Sequence, residues 1–125
     1  MVATVLALSV LAAEPAGQQS SMALQAPPVC LIDFGAKWCG PCRRMHPIIN
    51  RLRRKGYPIV MADIDDKTWK QWVDMYKIQS VPYFLMVVDG TGTEYLVGET
   101  SETRLESWLK TTIEKRFPEG QDAQH

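Results

Sequence analysis

Hydrophobic residues in this chain fall into two rhythms: short unbroken runs, and runs that recur every third or fourth position. Val29-Cys30-Leu31-Ile32-Asp33-Phe34 is apolar except for its single acid, a length and texture that predict a strand covered on both faces. A helical segment follows from Cys39 to about Lys55. Pro41 falls in its first turn, where a missing N–H does no harm; Pro47 falls mid-helix and predicts a kink; Gly56 ends it. Tyr57-Pro58-Ile59-Val60-Met61-Ala62-Asp63-Ile64 reads as a second buried strand. After Asp65-Asp66, a helix-start signal, Trp69, Trp72, Val73 and Tyr76 recur along one helix face. Pro82 to Val88 predicts a third strand, and the turn Asp89-Gly90-Thr91-Gly92 leads it into Glu94–Val97 as a hairpin. Ser101 caps a last helix with Leu105, Trp108, Leu109, Thr112 and Ile113 on its apolar face. Glu102 suits the positive end of its dipole, Lys115 and Arg116 the negative end, and Pro118 stops it. The order β-α-β-α-β-β-α predicts an α/β domain, a mixed sheet with helices on both faces.

Composition narrows the picture. At 125 residues, 46% of them apolar, the chain forms one domain whose core needs no structural disulfides. Lys plus Arg and Asp plus Glu each number 14, so net charge gives no basis for nucleic-acid binding or for an acidic membrane surface. Met1–Ala13 carries no charge and is shorter than the roughly 20 residues a spanning helix takes. It suits the apolar part of a secretory signal peptide, with Ala12-Ala13 as a cleavage zone, although no Lys or Arg precedes it. An exported (periplasmic or extracytoplasmic) protein is the expectation, with a mis-assigned start accounting for the missing basic residue; a cytoplasmic protein with an apolar N-terminal helix is the alternative. Residues 14–28 read as a linker with at most a short helix near Ser21–Gln25, 29–117 as the domain, and 118–125 as a disordered tail.

The chemistry concentrates in Trp38-Cys39-Gly40-Pro41-Cys42. Two thiols separated by two residues close a small disulfide loop at little chain-entropy cost, so the pair can open and close reversibly. Where a strand hands over to a helix, the first cysteine falls at the helix N-terminus, whose free N–H groups and dipole favour thiolate. That is the arrangement for thiol–disulfide exchange: Cys39 attacks, Cys42 resolves, Pro41 stiffens the loop and Gly40 lets a substrate approach. Half of a zinc site is the competing reading. Zinc needs four ligands, only Cys30 and His46 lie nearby in sequence, and no second C-x-x-C exists. Asp33 interrupts a buried strand, which is costly unless the carboxyl is hydrogen-bonded, protonated or functional. It either lies beneath Cys42 and exchanges protons with it, or is a strand-end acid accepting a backbone hydrogen bond. Val81-Pro82 opens a strand where proline is oddly placed; a cis bond tucking Pro82 against the disulfide and an ordinary trans proline both fit.

Leu31-Ile32-Asp33-Phe34, Trp38-Cys39-Gly40-Pro41-Cys42, Pro47, Val81-Pro82 and Gly98 resemble the thioredoxin family in order and spacing, over about Val29 to Phe117. The resemblance implies a thioredoxin fold with an abbreviated N-terminal part. It implies Cys39 as nucleophile, Cys42 as resolving thiol, Asp33 as buried acid/base and a cis bond before Pro82. Trp38, Gly40, Pro41, Val81, Pro82 and Gly98 would form the shallow surface that receives substrate. A Gly-Pro insert accompanies a reducing couple in that family, so the implied activity is reduction of protein disulfides. The implied partners are disulfide-containing proteins and an electron donor such as a thioredoxin reductase or a membrane thiol donor; no cofactor or metal is implied, and a monomer is expected. Two positions depart from the family pattern. Gly35 stands where a second Trp is usual, and Met61 stands where a Lys commonly neighbours the buried Asp.

Cys30 reads as a core residue. His46, four positions after Cys42, could face the same side of the helix; an exposed histidine is the commoner outcome, and no role is assigned to it. Arg43, Arg44, Arg51, Arg53, Arg54 and Lys55 read as a solvated face partly balanced by Asp63, Asp65 and Asp66. Trp69, Trp72 and Trp108 fit helix faces packed on the sheet. Besides the reductase, two functions fit: an extracytoplasmic disulfide oxidase or isomerase, and a non-enzymatic module that binds one partner through the same surface.

Overall fold

Four strands form one sheet in the order β2-β1-β3-β4: β1 (Val29–Gly35), β2 (Ile59–Asp63), β3 (Tyr83–Val88) and β4 (Thr91–Val97). The computed structural model describes residues 27–118. The expected signal segment, nearly all of the linker, the abbreviated N-terminal part and the tail beyond Pro118 lie outside the described residues. β1 runs parallel to β2 and antiparallel to β3, which pairs antiparallel with β4. The helices are α1 (Gly40–Arg54), α2 (Lys70–Met75) and α3 (Glu102–Arg116). Among the described residues no helix is long and apolar enough to cross a membrane.

Strand alternation sorts the core into two halves. Val29 and Leu31 of β1, with Ile59, Phe84 and Met86, pack against Met45, Ile49 and Leu52 of α1 and Leu105 and Leu109 of α3. Ile32 and Phe34 point the other way, where Trp69, Trp72, Val73 and Tyr76 cover them together with Ala62, Leu85 and Val87. Both faces are covered, as the near-continuous apolar strands require. Asp33 therefore shares the α1 face, and Cys30 belongs to the opposite one.

Several local expectations hold and others shift. Gly56, at φ +99°, ends α1: its N–H donates to Arg53 O and that of Tyr57 to Leu52 O, a Schellman closure that satisfies two terminal carbonyls. α1 runs unbroken through Pro47, which faces solvent. The second strand is shorter than expected, leaving out Tyr57, Pro58 and Ile64. The expected second helix is a 3₁₀ turn (Lys67–Trp69), capped by the Asp66 side chain, followed by the short α2. Phe34, Trp69, Trp72 and Tyr76 form an aromatic row there with ring centroids 5.7–6.3 Å apart, so side-chain packing rather than helical periodicity sets the local backbone. The hairpin turns on Asp89-Gly90 alone, both at positive φ, which suits a two-residue connection; Thr91 and Gly92 are already in β4. The basic face of α1 is balanced by acids near and within α3 rather than by Asp63, Asp65 and Asp66. Arg44 pairs with Glu99, Arg51 with Glu102 and Lys55 with Glu106.

Candidate active site

The pairing register brings three chain segments to one end of the sheet. Phe34 lies opposite Tyr83, and Tyr83 opposite Val97. The loop that follows β1 to Cys39, the Val81-Pro82 step before β3, and Gly98 after β4 therefore share one rim. The Val81-Pro82 bond is cis, and Gly98 N–H donates to Pro82 O at 2.8 Å, tying the second segment to the third. Gly98 holds φ +100°, a conformation that side chains resist.

Cys39 is the N-cap of α1 and is joined to Cys42 in a disulfide, their Cα atoms 5.3 Å apart. The Cys39 Sγ accepts the backbone N–H of Cys42 at 3.1 Å. This is how Ser or Asp side chains satisfy an otherwise unpaired first-turn donor, here performed by sulfur. Pro41 lies in the first turn without needing a donor. The two cysteines are equally buried, each residue only 4% exposed. The disulfide ties the two sulfurs together, and the cap folds the Cys39 side chain inward over the first turn. Gly35 has a packing reason as well: a Cβ there would stand 3.3 Å from Cys42 Sγ. Trp38 is 66% exposed beside the pair, and its indole N–H donates to Asp65 at 2.9 Å. Gly40, Pro41, Val81 and Gly98 are half-buried, and Pro82 is buried.

Asp33 is 5% exposed, and its carboxyl forms no hydrogen bond with another described residue. Burial alone pushes its pKa up to about 6. It opens into a cavity of about 190 Å³ that Cys42 also lines. Met61, the register partner of Asp33 on β2, forms another wall, as do Lys37, His46 and Asp63. The expected substitution at residue 61 is thus placed at the acid's side, and no cation comes to it from β2. Cys30 sits half-buried on the far face of β1, where burial pushes its thiol up in pKa and so keeps it protonated. His46, left without a role on sequence grounds, lines the same cavity as Asp33 and Cys42, a placement that sequence reasoning missed. The signal was its helical spacing from Cys42 together with the inward direction of Asp33. A larger hollow of about 570 Å³ lies between β4 and α3. It holds no thiol, and its Glu94 and Arg116 already pair with Trp108 and Asp89, whereas the smaller cavity is lined by Cys42. Among the described residues no three His, Cys, Asp or Glu side chains cluster as a metal would need.

Comparison with known proteins agrees with this geometry. A family model for thioredoxin matches residues 16–111, beginning upstream of the stretch that carries the sequence resemblance. The chain is 34% identical over 97 residues to an H-type thioredoxin of Oryza sativa subsp. indica, covering 78% of this chain and 75% of that protein. It is 36% identical over 86 residues to the mitochondrial thioredoxin of Mus musculus, covering 66% of this chain but about half (51%) of the longer relative. Its fold superposes on a thioredoxin mutant from Halobacterium salinarum NRC-1 with a TM-score of 0.64 and 25% identity, covering 75% of this chain and 82% of that one. With its cysteine pair at the start of a helix and matches of this extent, the chain belongs to the thioredoxin family and is a thiol–disulfide oxidoreductase that reduces protein disulfides.

Proposed function

We propose that Cys39 and Cys42 perform this reduction as a two-step relay, with Asp33 receiving the proton of the second step. In the reduced protein the Cys39 thiolate sits where α1 offers its N-terminal dipole and the Cys42 N–H. It attacks one sulfur of a substrate disulfide. The substrate S–S bond breaks, the first substrate sulfur leaves with the electron pair, and that sulfur takes a proton from solvent. Cys42 then gives its proton to Asp33 across the shared cavity and attacks Cys39 Sγ. The mixed disulfide breaks, the second substrate sulfur leaves and is protonated, and the Cys39–Cys42 bond closes. Two electrons and two protons have passed to the substrate.

Trp38, Gly40, Pro41, Val81, Pro82 and Gly98 are assigned to the surface that receives the substrate, since they surround the disulfide along one rim. The observation that carries the relay is the common cavity: it gives a buried carboxyl, one whose pKa is suited to proton exchange near neutrality, access to the resolving thiol. A thioredoxin reductase is the electron donor that family membership favours. With Met1–Ala13 acting as a signal segment, the protein would work outside the cytoplasm and take electrons from a membrane thiol donor. The mass of the mature N-terminus decides between these settings. An insulin-type disulfide-reduction assay tests the relay itself. The intact protein should be active and Cys39→Ser inactive, while Cys42→Ser should accumulate substrate bound to Cys39; activity surviving in Cys39→Ser would overturn the assignment.

A further inference from the structure

We infer that His46 carries the proton of the resolving step between the Asp33–Cys42 cavity and bulk solvent, a role that rests on the relay proposed above. Asp33 can accept the proton of Cys42, and at 5% exposure it must pass that proton on through the cavity that it lines. The groups around it come from three elements. Lys37 stands on the loop after β1, Met61 and Asp63 on β2, and Cys42 and His46 on α1. Arg53 of α1 reaches the outer side of Met61, its Nη1 3.8 Å from Met61 Sδ.

Chemistry separates them. An ammonium or guanidinium donates protons but has no acceptor at neutral pH, which sets Lys37 and Arg53 aside. Met61 carries no exchangeable proton. Asp63 already accepts the Asp65 N–H at 2.8 Å. Of the exposed residues that wall the cavity, Lys37, Met61 and His46, the histidine is the one that can both take up and release a proton: imidazole accepts a proton on one ring nitrogen while releasing one from the other. It lies one helical turn beyond Cys42, a spacing that places the two Cβ atoms about 5–6 Å apart on one face. The cavity's volume of about 190 Å³ leaves room for water to bridge the remaining distance.

The step balances. The Cys42 proton passes to the Asp33 carboxylate, then through the cavity to one ring nitrogen of His46, while the other ring nitrogen releases a proton to bulk water. The ring ends neutral, and Asp33 is again a carboxylate. Met61, the register partner of Asp33, brings no charge to this route from β2.

The experiment is stopped-flow resolution of the mixed disulfide in the full chain, followed by the change in total tryptophan fluorescence in imidazole-free buffer. A direct general base contributes about 10²–10⁴-fold, and a relay behind one, partly replaceable by water, predicts a slowing of about fivefold for His46→Gln. Added imidazole should restore the rate of His46→Gln and leave the intact protein unchanged. A His46→Gln rate equal to that of the intact protein would overturn the proposal, as would a slowing that imidazole does not relieve, since that marks a packing role. Trapping on Cys39 in Cys42→Ser separates the two levels. Intact trapping with an unaltered His46→Gln rate removes only the role of His46, whereas failed trapping removes the relay and this proposal with it.

Discussion

Among Leu31, Ile32 and Phe34, an aspartate at residue 33 holds its charge at a cost, because the strand that carries it is covered on both faces. The cost has a pH signature. The unfolded chain ionises this group near 3.8 and the folded one at about 6, so the folded state binds the proton more tightly. Its contribution to stability is intact below about pH 4, falls between pH 4 and 6, and is lost above the folded value. Asp33→Asn removes the charge while keeping the shape. It should stabilise the protein above pH 6 by up to about 3 kcal/mol, because each pH unit separating the folded and unfolded ionisations is worth about 1.36 kcal/mol, and change nothing below pH 4. Urea unfolding at pH 3.5 and 7.5 checks both halves; equal effects at the two values would contradict the burial account. The same variant should resolve mixed disulfides about 10–100-fold more slowly, at or below the low end of general-base contributions because water can substitute. The acid was legible in the sequence as the one polar break in an apolar run. Its hydrogen-bond state, the equal burial of the two cysteines and the cavity shared with His46 were not, because each depends on how α1 lies over β1 and β2.

At the scale of elements, the hairpin separates what local sequence dictates from what distant contacts decide. Asp-Gly between two apolar runs names its own turn, and Asp89-Gly90 adopts it. Gly92 looked like part of that turn and instead belongs to β4, at a shift in pairing between Met86 and Val87. A Cβ at residue 92 would stand 2.7 Å from Tyr76 Cε1 and 2.9 Å from Leu85 Cδ1, and the Gly92 N–H donates to the Tyr76 hydroxyl at 2.8 Å. The glycine is required by a ring sixteen residues away in the chain, a requirement no turn rule contains. Gly92→Ala should therefore destabilise the domain by about 1–3 kcal/mol, the usual range for overpacking, while leaving disulfide reduction by the folded protein unchanged. Thermal unfolding with an activity assay at low temperature reads the two separately. The second helix carries the same lesson: its apolar spacing was plain, but the aromatic row on Phe34 splits it into a 3₁₀ turn and six helical residues.

Across the whole molecule, the order of elements and the covering of both sheet faces were legible because strand alternation and helix periodicity are short-range signals. The assembly of the rim was not, since it arises from β1 pairing with β3 and β3 with β4. That pairing sets Cys39, Val81-Pro82 and Gly98 around one opening although the chain separates them widely. The fold's main consequence for chemistry is asymmetry between two neighbouring sulfurs. One caps a helix with its sulfur on an N–H, and the other backs onto a cavity with an acid. Alkylation of the reduced protein by iodoacetamide across a pH series, followed by peptide mass spectrometry, measures that asymmetry. Cys39 should react with a midpoint well below the value of about 8.5 for free cysteine, ahead of Cys42 and Cys30. A midpoint for Cys39 at or above that of free cysteine, or first labelling at Cys42, would contradict the account.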